Sequence, residues 1–153
     1  MMAKWDQRFL DLAQHVSGWS KDPSTRVGAA ITRGKFIVSL GFNGFPSGIA
    51  DDDRIQDRPT KYKIVIHAEE NAILSARQDL RGTTLYVVPL LPCSSCAAKI
   101  IQVGITRVVA RIAHPDAPER WAEQCAMALA LFREAGIQVE YAEQAHNGHN
   151  KDQ

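Results

Sequence analysis

A histidine, a glutamate and two cysteines are spaced in this chain in a way that suits a metal centre. His67 and Glu69 are two residues apart, and Pro92 directly precedes the pair Cys93 and Cys96. Imidazole and thiolate bind zinc, and zinc sites that only hold a fold together nearly always have four protein ligands. Ligation by His67, Cys93 and Cys96 leaves one coordination position for water or substrate. The pattern therefore predicts a catalytic zinc site that activates water.

Glu69 suits proton transfer better than metal ligation. It lies too close to His67 in sequence to be an obvious fourth ligand, and a carboxylate beside an activated water is what general-base chemistry requires. Two thiolates and a neutral imidazole cancel the formal charge of zinc, which makes the ion a milder Lewis acid than one held by three histidines. A nearby base should therefore matter more in this site.

Helix starts are predicted to position these side chains. Cys93 and Cys96 are three residues apart, so they project from one face of a helix, and Pro92 suits the start of that helix. A helix N-terminus also favours the thiolate form of cysteine. Positions two apart on a helix diverge by roughly 200°, so His67 and Glu69 share a cavity only if His67 stands at the helix entry. The second helix is therefore predicted to begin near His67 or Ala68.

Apolar periodicity and turn residues predict the other elements. The predicted helices cover residues 5–16, 67–78, 92–103 and 118–135, and the predicted strands cover residues 27–32, 36–42, 83–88, 106–112 and 137–141. Residues 43–60 are rich in turn formers and acids, so they are predicted to form a functional loop without regular structure. The first two strands are separated by a tight turn and are predicted to form an antiparallel hairpin.

The alternation of strands and helices after residue 83 predicts crossover connections and parallel strands. The expected fold is an α/β, three-layer α/β/α sandwich with a five-stranded mixed sheet. Residues 1–142 are predicted to form one domain, and the polar tail 143–153 is expected to fray. The two metal-bearing helix N-termini should meet at one edge of the sheet, where ligands of open α/β sheets bind.

Composition narrows the class of protein. The chain has 153 residues, of which 18 are basic and 17 acidic, and no long run of Lys or Arg occurs. A small substrate is therefore favoured over a large nucleic acid. The cysteines are three in number and two of them form the CxxC, which argues against the disulfide framework of a secreted protein. The absence of a signal peptide and of a membrane-length apolar segment favours a cytoplasmic protein without membrane contact.

Two other functions use the same residues. A structural zinc module would need a fourth protein ligand, which Cys125 or a histidine of the tail would have to supply. A thiol oxidoreductase would oxidise Cys93 and Cys96 reversibly without metal. The combination of the HxE and PCxxC patterns favours the hydrolase over both alternatives.

Three segments in addition to the metal pattern resemble a known family. They are SKDPSTRVGA at residues 20–29, GFNGFPSG at residues 41–48 and HAEENAI at residues 67–73. With HxE and PCxxC, they resemble the zinc-dependent cytidine and deoxycytidylate deaminases, and within that family most closely the dCMP deaminases. The resemblance covers residues 20–110. Free-cytidine deaminases usually have cysteine in place of His67, and Glu70 stands where the family usually has leucine.

The resemblance implies a cytidine deaminase-like fold and hydrolysis of dCMP to dUMP and ammonia. It implies one zinc ion per subunit on His67, Cys93 and Cys96, with Glu69 carrying protons to N3 and to the exocyclic amine. The implied substrate contacts are Asn43 to the sugar, the Ala68 N–H to the base and the Leu91 carbonyl to the amine. Candidates near the 5′-phosphate are Lys21, Ser24 and Arg26.

Family members of this type also imply assembly and regulation. A homo-oligomer is expected, with a hexamer favoured. The nucleotides dCTP and dTTP are expected to activate and inhibit through Gly41, Asn43, Gly44 and Gly48. A nucleotide effector would carry Mg²⁺. Other substrates compatible with the residues are another cytosine nucleotide or nucleoside and an adenosine in tRNA.

Overall fold

The computed structural model describes residues 3–111 and 119–142 of the chain. Its helices are α1 Lys4–Ser17, α2 Arg58–Ile64, α3 Ala68–Ala76, α4 Ser94–Gln102 and α5 Glu119–Glu134, with a short 3-10 turn at Asp53–Ile55. Its strands are β1 Gly28–Arg33, β2 Phe36–Phe42, β3 Thr84–Val88, β4 Arg107–Arg111 and β5 Gln138–Ala142.

The five strands form one mixed sheet in the order β2-β1-β3-β4-β5. The pairs β1–β2 and β1–β3 are antiparallel, whereas β3–β4 and β4–β5 are parallel. Helices α4 and α5 connect the parallel pairs, because two neighbouring parallel strands need a crossover connection that returns the chain to the same end of the sheet. The mixed five-stranded sheet and the antiparallel first hairpin predicted from the sequence are confirmed.

The sheet is covered unequally on its two faces. Side chains alternate along β3, so that Tyr86 and Val88 pack with α1 while Leu85 and Val87 pack in the core of the opposite face. That second core includes buried residues of α3, α4 and α5. One helix on one face and three on the other give the three layers of the predicted sandwich.

Two glycines allow helices to approach the sheet closely. A Cβ atom on Gly28 would lie 1.9 Å from the Ala13 carbonyl oxygen of α1, and one on Gly41 would lie 2.3 Å from the Ala68 carbonyl oxygen of α3. No side chain fits at such distances, so each glycine fixes the depth at which one helix docks. Gly41 thereby sets the position of the first turn of α3.

The prediction of a loop over residues 43–60 is wrong at its end. Helix α2 begins at Arg58, and a 3-10 turn precedes it at Asp53–Ile55. Pro59 lies in the first turn of α2, where a proline is tolerated because that N–H has no helical partner. The helix is seven residues long and buries only Lys61, so it has no apolar stripe that periodicity could detect.

Other predicted boundaries differ by one or two residues. Helix α4 begins at Ser94 with Cys93 as its N-cap, two residues after the predicted start at Pro92. Three predicted features lie outside the described residues: the strand end at Ile112, the helix start at Pro118 and the tail from Glu143. Within the part of the chain that the structure describes, no helix has the length and apolar character needed to cross a membrane.

Candidate active site

The three predicted metal donors lie together at the starts of α3 and α4. His67 is the N-cap of α3 and Cys93 is the N-cap of α4. The His67 Nδ1 atom lies 3.5 Å from Cys93 Sγ and 3.3 Å from Cys96 Sγ. All three donor atoms fall within 4.8 Å of one another. One imidazole and two thiols at this separation fit a zinc ion.

The two thiols occupy different protonation environments. A hydrogen bond from Cys96, followed by one from His67, lowers the pKa of Cys93 to about 4. The backbone N–H of Cys96 also donates to Cys93 Sγ at 3.4 Å. The hydrogen bond with Cys93 and burial raise the pKa of Cys96. Zinc binding requires deprotonated thiols, and the mutual hydrogen bond favours the first deprotonation of this coupled pair.

The donor cluster has three members among residues 3–111 and 119–142. Cys125 is not one of them. Its thiol lies in α5 and donates to the carbonyl oxygen of Leu91 at 3.8 Å. Cys125 is half-buried. A site with three protein donors favours the open coordination of a catalytic zinc.

Glu69 lies in the first turn of α3 and is only 4% exposed. Burial raises the pKa of Glu69 to about 7. A carboxyl group with this pKa exchanges a proton readily in both directions near neutral pH, which is the property of an efficient general acid and base. Glu69 lines the same cavity as His67 and Cys93.

That cavity collects side chains from five parts of the chain. Its lining residues are Asp22, Ser24, Thr25, Val27, Asn43, Lys61, Tyr62, Val65, His67, Ala68, Glu69, Leu90, Leu91, Cys93 and Trp121. Of the substrate contacts expected from the sequence, the set includes Ser24, Asn43, Ala68 and Leu91. Lys21 and Arg26 are not part of it.

Lys21 and Arg26 are both exposed and do not line the cavity. The Lys21 side chain is 70% exposed and forms an ion pair with Asp51 at 3.0 Å. Arg26 is also exposed. Their place in the wall is taken by Lys61 and Tyr62 of α2, which the sequence analysis did not identify. Asp57 followed by Pro59 is a common helix start and could have predicted α2, but it does not show that these two residues line the cavity.

Asn43 uses its side-chain amide to hold the loop beside it. Its Oδ1 accepts from the Val27 N–H at 2.9 Å, and its Nδ2 donates to the Thr25 carbonyl oxygen at 2.9 Å. Its backbone carbonyl accepts from the Ser20 hydroxyl at 2.8 Å. Asn43 is 7% exposed. It therefore fixes the segment that carries Ser24 and Thr25, and Oδ1 keeps one lone pair for a further donor.

Ala68 and Leu91 also line the cavity, and each has a backbone group with hydrogen-bonding capacity. Ala68 is the first residue of α3, so its N–H has no partner within the helix and can donate to a ligand. Leu91 is 7% exposed and lies three residues before the start of α4 at Ser94. Its carbonyl oxygen faces the Cys125 thiol, a weak donor that leaves the oxygen able to accept another hydrogen bond.

The glycines expected near an effector have separate structural settings. Gly41 packs on α3 as described above, and Gly44 pairs with Ile66 in an isolated antiparallel bridge. Gly48 has φ +88, a backbone conformation that favours glycine in the turn. The bridge to Ile66 joins this segment to the residue directly before His67.

Glu70 lies outside the cavity and next to the donor cluster. Its carboxylate pairs with Lys99 at 3.0 Å and lies 4.0 Å from Cys96 Sγ. The charge of Lys99 thus partly neutralises the carboxylate that this chain has beside the thiols. Groups at this distance orient metal ligands without binding the metal themselves.

Comparison with known proteins places the chain in a family. Residues 3–112 match the cytidine and deoxycytidylate deaminase zinc-binding region. The chain is 47% identical over 139 residues to an uncharacterized deaminase in the luxG 3′ region of Aliivibrio fischeri, covering 91% of this chain and 94% of the relative. It is 40% identical to human deoxycytidylate deaminase, covering 69% of this chain and 64% of the human protein.

A solved structure shares the fold. The dCMP deaminase of cyanophage S-TIM5, in complex with dCMP and dUMP, superposes with a TM-score of 0.73 at 23% identity, covering 93% of this chain and 99% of that one. The fold, the donor cluster and the match over residues 3–112 agree. This chain belongs to the cytidine and deoxycytidylate deaminase zinc-binding family.

Proposed function

We propose that the protein hydrolyses dCMP to dUMP and ammonia with one zinc ion per subunit, as part of pyrimidine deoxynucleotide metabolism. The observation that carries the proposal is the joint placement of a three-donor metal cluster and the buried Glu69 in one cavity. Relatives named deoxycytidylate deaminase, including the human protein at 40% identity, support the choice of substrate.

His67, Cys93 and Cys96 would hold the metal, and zinc supplies Lewis-acid activation of the attacking water. Glu69 accepts a proton from that water as it attacks C4 of the cytosine. Glu69 gives that proton to N3, then takes the proton of the hydroxyl group now on C4 and passes it to the exocyclic amine. The C4–N bond breaks, ammonia leaves and the C4 carbonyl of uracil forms. The pKa of about 7 suits a group that accepts and donates protons in turn. A carboxyl group with a much lower pKa would rarely be protonated near neutral pH and would be a poor proton donor.

The cavity wall supplies groups that can orient the base and sugar. The free N–H of Ala68 can donate to the base, and the Leu91 carbonyl can accept from the exocyclic amine. Asn43 would contact the sugar with the remaining lone pair of Oδ1, which its position in the cavity lining supports. Of the three residues predicted to contact the 5′-phosphate, Ser24 lines the cavity, whereas Lys21 and Arg26 do not.

Replacement of Glu69 by glutamine tests the assignment. Glu69→Gln keeps the shape of the side chain and removes its ability to carry a proton, so turnover of dCMP should fall roughly 10²- to 10⁴-fold. Zinc content should stay at one ion per chain, because Glu69 is not a donor. The measurements are ammonia release and metal content of the same preparation. Full activity of a zinc-loaded Glu69→Gln protein would refute the role.

A substrate panel tests the activity itself. Purified protein is incubated with dCMP, CMP, deoxycytidine and dCTP, with and without prior removal of zinc. The expected result is zinc-dependent ammonia release that is fastest with dCMP. Reversible oxidation of Cys93 and Cys96 without metal would instead support the thiol oxidoreductase, and zinc binding without any deamination would support the structural module.

We also infer a cytoplasmic homo-oligomer built from one deaminase domain at residues 1–142, with a hexamer favoured. Large apolar side chains on the surface support association, among them Trp19 at 51%, Leu74 at 63% and Phe36 at 79% exposure. We further propose dCTP activation and dTTP inhibition with accompanying Mg²⁺ through the segment of Gly41, Asn43, Gly44 and Gly48. The bridge between Gly44 and Ile66 supports this, since it joins that segment to the chain entering His67.

A further inference from the structure

Lys61 is a buried lysine in the wall of the active-site cavity. Its side chain is 3% exposed, and its Nζ forms an ion pair with Asp22 at 3.2 Å. Asp22 is also buried, with 7% exposure. Both residues line the cavity that contains Glu69 and the metal donors. Burial of an ammonium group has a large free-energy cost. Packing alone does not explain why Lys61 is buried beside the cavity.

Asp22 does not depend on Lys61 for hydrogen bonds. Its Oδ1 accepts from the backbone N–H groups of Ser24 at 2.8 Å and Thr25 at 3.2 Å. Its Oδ2 accepts from Asn43 Nδ2 at 3.5 Å. These contacts hold the turn at residues 22–25 without any contribution from a lysine. The ammonium group is therefore an addition to a carboxylate that already has three donors.

Lys61 in turn has more donors than Asp22 accepts. An ammonium group carries three N–H bonds. Among residues 3–111 and 119–142, one side-chain oxygen, Oδ1 of Asp22, accepts a hydrogen bond from Nζ. The face of Tyr62 lies 5.4 Å from Nζ and adds an electrostatic contact without a hydrogen-bond acceptor. Nζ can therefore donate to an anionic ligand while it keeps its bond to Asp22.

The surroundings of Lys61 suit a phosphate group. Ser24, Thr25 and Tyr62 contribute hydroxyl-bearing side chains to the same cavity, and hydroxyls with an ammonium group are ordinary phosphate donors. The two cations that the sequence suggested for this task are elsewhere, since Lys21 and Arg26 do not line the cavity. Lys61 is the lysine or arginine among the lining residues.

We propose that Lys61 binds the 5′-phosphate of the substrate and makes the enzyme select a nucleotide over a nucleoside. The inference rests on the proposed deamination of dCMP. Asp22 organises the turn that carries Ser24 and Thr25 and competes with the ligand for the ammonium group. Because the phosphate is far from the reacting bond, its loss should alter the use of dCMP and leave the chemistry on deoxycytidine unchanged.

The test compares dCMP with deoxycytidine for each variant. Lys61→Met keeps the length of the side chain and removes the charge, so kcat/KM for dCMP should fall roughly 10- to 100-fold, the range expected for loss of a charge-assisted hydrogen bond. The value for deoxycytidine should change by less than about twofold. The ratio of the two values is measured on one preparation, so it does not depend on the fraction of folded protein.

Two further variants separate phosphate binding from a structural ion pair. Lys63→Met changes an exposed lysine of the same helix and should leave the ratio unchanged. Asp22→Asn removes the competing anion but keeps an oxygen for the N–H groups of Ser24 and Thr25, so the preference for dCMP should be retained or rise. This variant still decides the matter if Lys61→Met does not fold.

Equal losses for dCMP and deoxycytidine in Lys61→Met would assign Lys61 a structural role, and so would a tenfold loss of preference in Asp22→Asn. Activity of the wild-type protein on the two substrates distinguishes an error in the proposed substrate from an error in the role of Lys61. If it uses deoxycytidine as well as dCMP, the proposed substrate is wrong. If it prefers dCMP and Lys61→Met keeps that preference, the inference about Lys61 alone is wrong.

Discussion

Two charged clusters, each containing a buried aspartate, differ in how completely protein groups satisfy their hydrogen-bonding capacity. The first, here called the α1 cluster, consists of Asp6, Tyr86, Arg107 and Glu140. Arg107 donates to both oxygens of Asp6 at 2.9 and 2.8 Å and to both oxygens of Glu140 at 3.2 and 2.6 Å. The Tyr86 hydroxyl donates to Asp6 at 2.6 Å. The guanidinium group lowers the pKa of Asp6, despite the opposing effect of burial.

The second cluster, Asp22 with Lys61, faces a cavity and leaves donors of Lys61 unused. The α1 cluster joins α1 to β3, β4 and β5 and is closed by its own members, so its charges serve the fold. The comparison teaches that burial of charge alone does not mark a functional site. The distinguishing property is donor capacity that faces a space large enough for a ligand.

The largest effect on stability is expected from opening the α1 cluster. Arg107→Met leaves the carboxylate of Asp6, a residue that is 5% exposed, without its cation, and should lower the free energy of unfolding by about 3 kcal/mol. The kcat/KM for dCMP per folded, zinc-loaded chain should stay unchanged. Urea unfolding and steady-state kinetics measure the two quantities.

Arg111→Met is the matched control for this change. Arg111 lies on the same strand and donates to Asp11 of α1 at 2.8 Å, but the Asp11 side chain is 73% exposed and remains solvated when its partner is removed. The loss should stay below about 1 kcal/mol. Similar losses for the two arginines would contradict the distinction between the closed buried cluster and a surface pair.

A methyl group added on opposite faces of the sheet should separate stability from activity. Gly28→Ala forces α1 away from the Ala13 carbonyl, and Gly41→Ala forces α3 away at Ala68 and Ala72. Each should cost about 1–3 kcal/mol in the free energy of unfolding. Only Gly41→Ala should also lower kcat, because Glu69 lies in the first turn of α3.

The control for the glycine pair is Gly44→Ala, since no atom lies within 4 Å of a Cβ atom added there. Its stability and its kcat, measured without effectors, should match those of the wild type. A decrease of kcat in Gly28→Ala as large as that in Gly41→Ala would show that docking of either helix controls the site, and the separation of the two faces would fail.

The part of the site that the sequence predicted follows from short-range geometry. His67 and Glu69 can serve one cavity only from a helix entry, and the structure places His67 as the N-cap of α3. The CxxC spacing and Pro92 likewise predicted a helix start, which lies at Ser94. The tight turn between the first two strands and the alternation of strands and helices after residue 83 predicted the mixed sheet, because hairpins are antiparallel and crossover connections join parallel strands.

The residues that the sequence analysis missed depend on contacts between distant segments. Lys61 is 39 positions from Asp22, and α2 buries no other residue, so no local pattern marks it as part of the wall. The hydrogen bonds of Asn43 to Thr25 and Val27 are also non-local. A motif can suggest that Asn43 matters, but only the folded chain reveals that its amide is already engaged by protein groups.

The smallest effect is expected at Lys21, and it sharpens the contrast between an exposed and a buried cation. Both Lys21 and Lys61 pair with an aspartate, at 3.0 and 3.2 Å, but the Lys21 side chain is 70% exposed and that of Lys61 is 3% exposed. Solvent screens the Lys21 pair, so Lys21→Met should change the free energy of unfolding by less than about 0.5 kcal/mol.

The same variant should change kcat/KM for dCMP by less than about twofold, measured beside Lys61→Met at equal ionic strength. A larger loss with dCMP than with deoxycytidine would show that Lys21 reaches the phosphate after its loop moves, as its place in the SKDPS segment suggested. Lys21 and Lys61 would then both bind the phosphate. The cavity lining that includes Lys61 but not Lys21 would apply only to the protein without ligand.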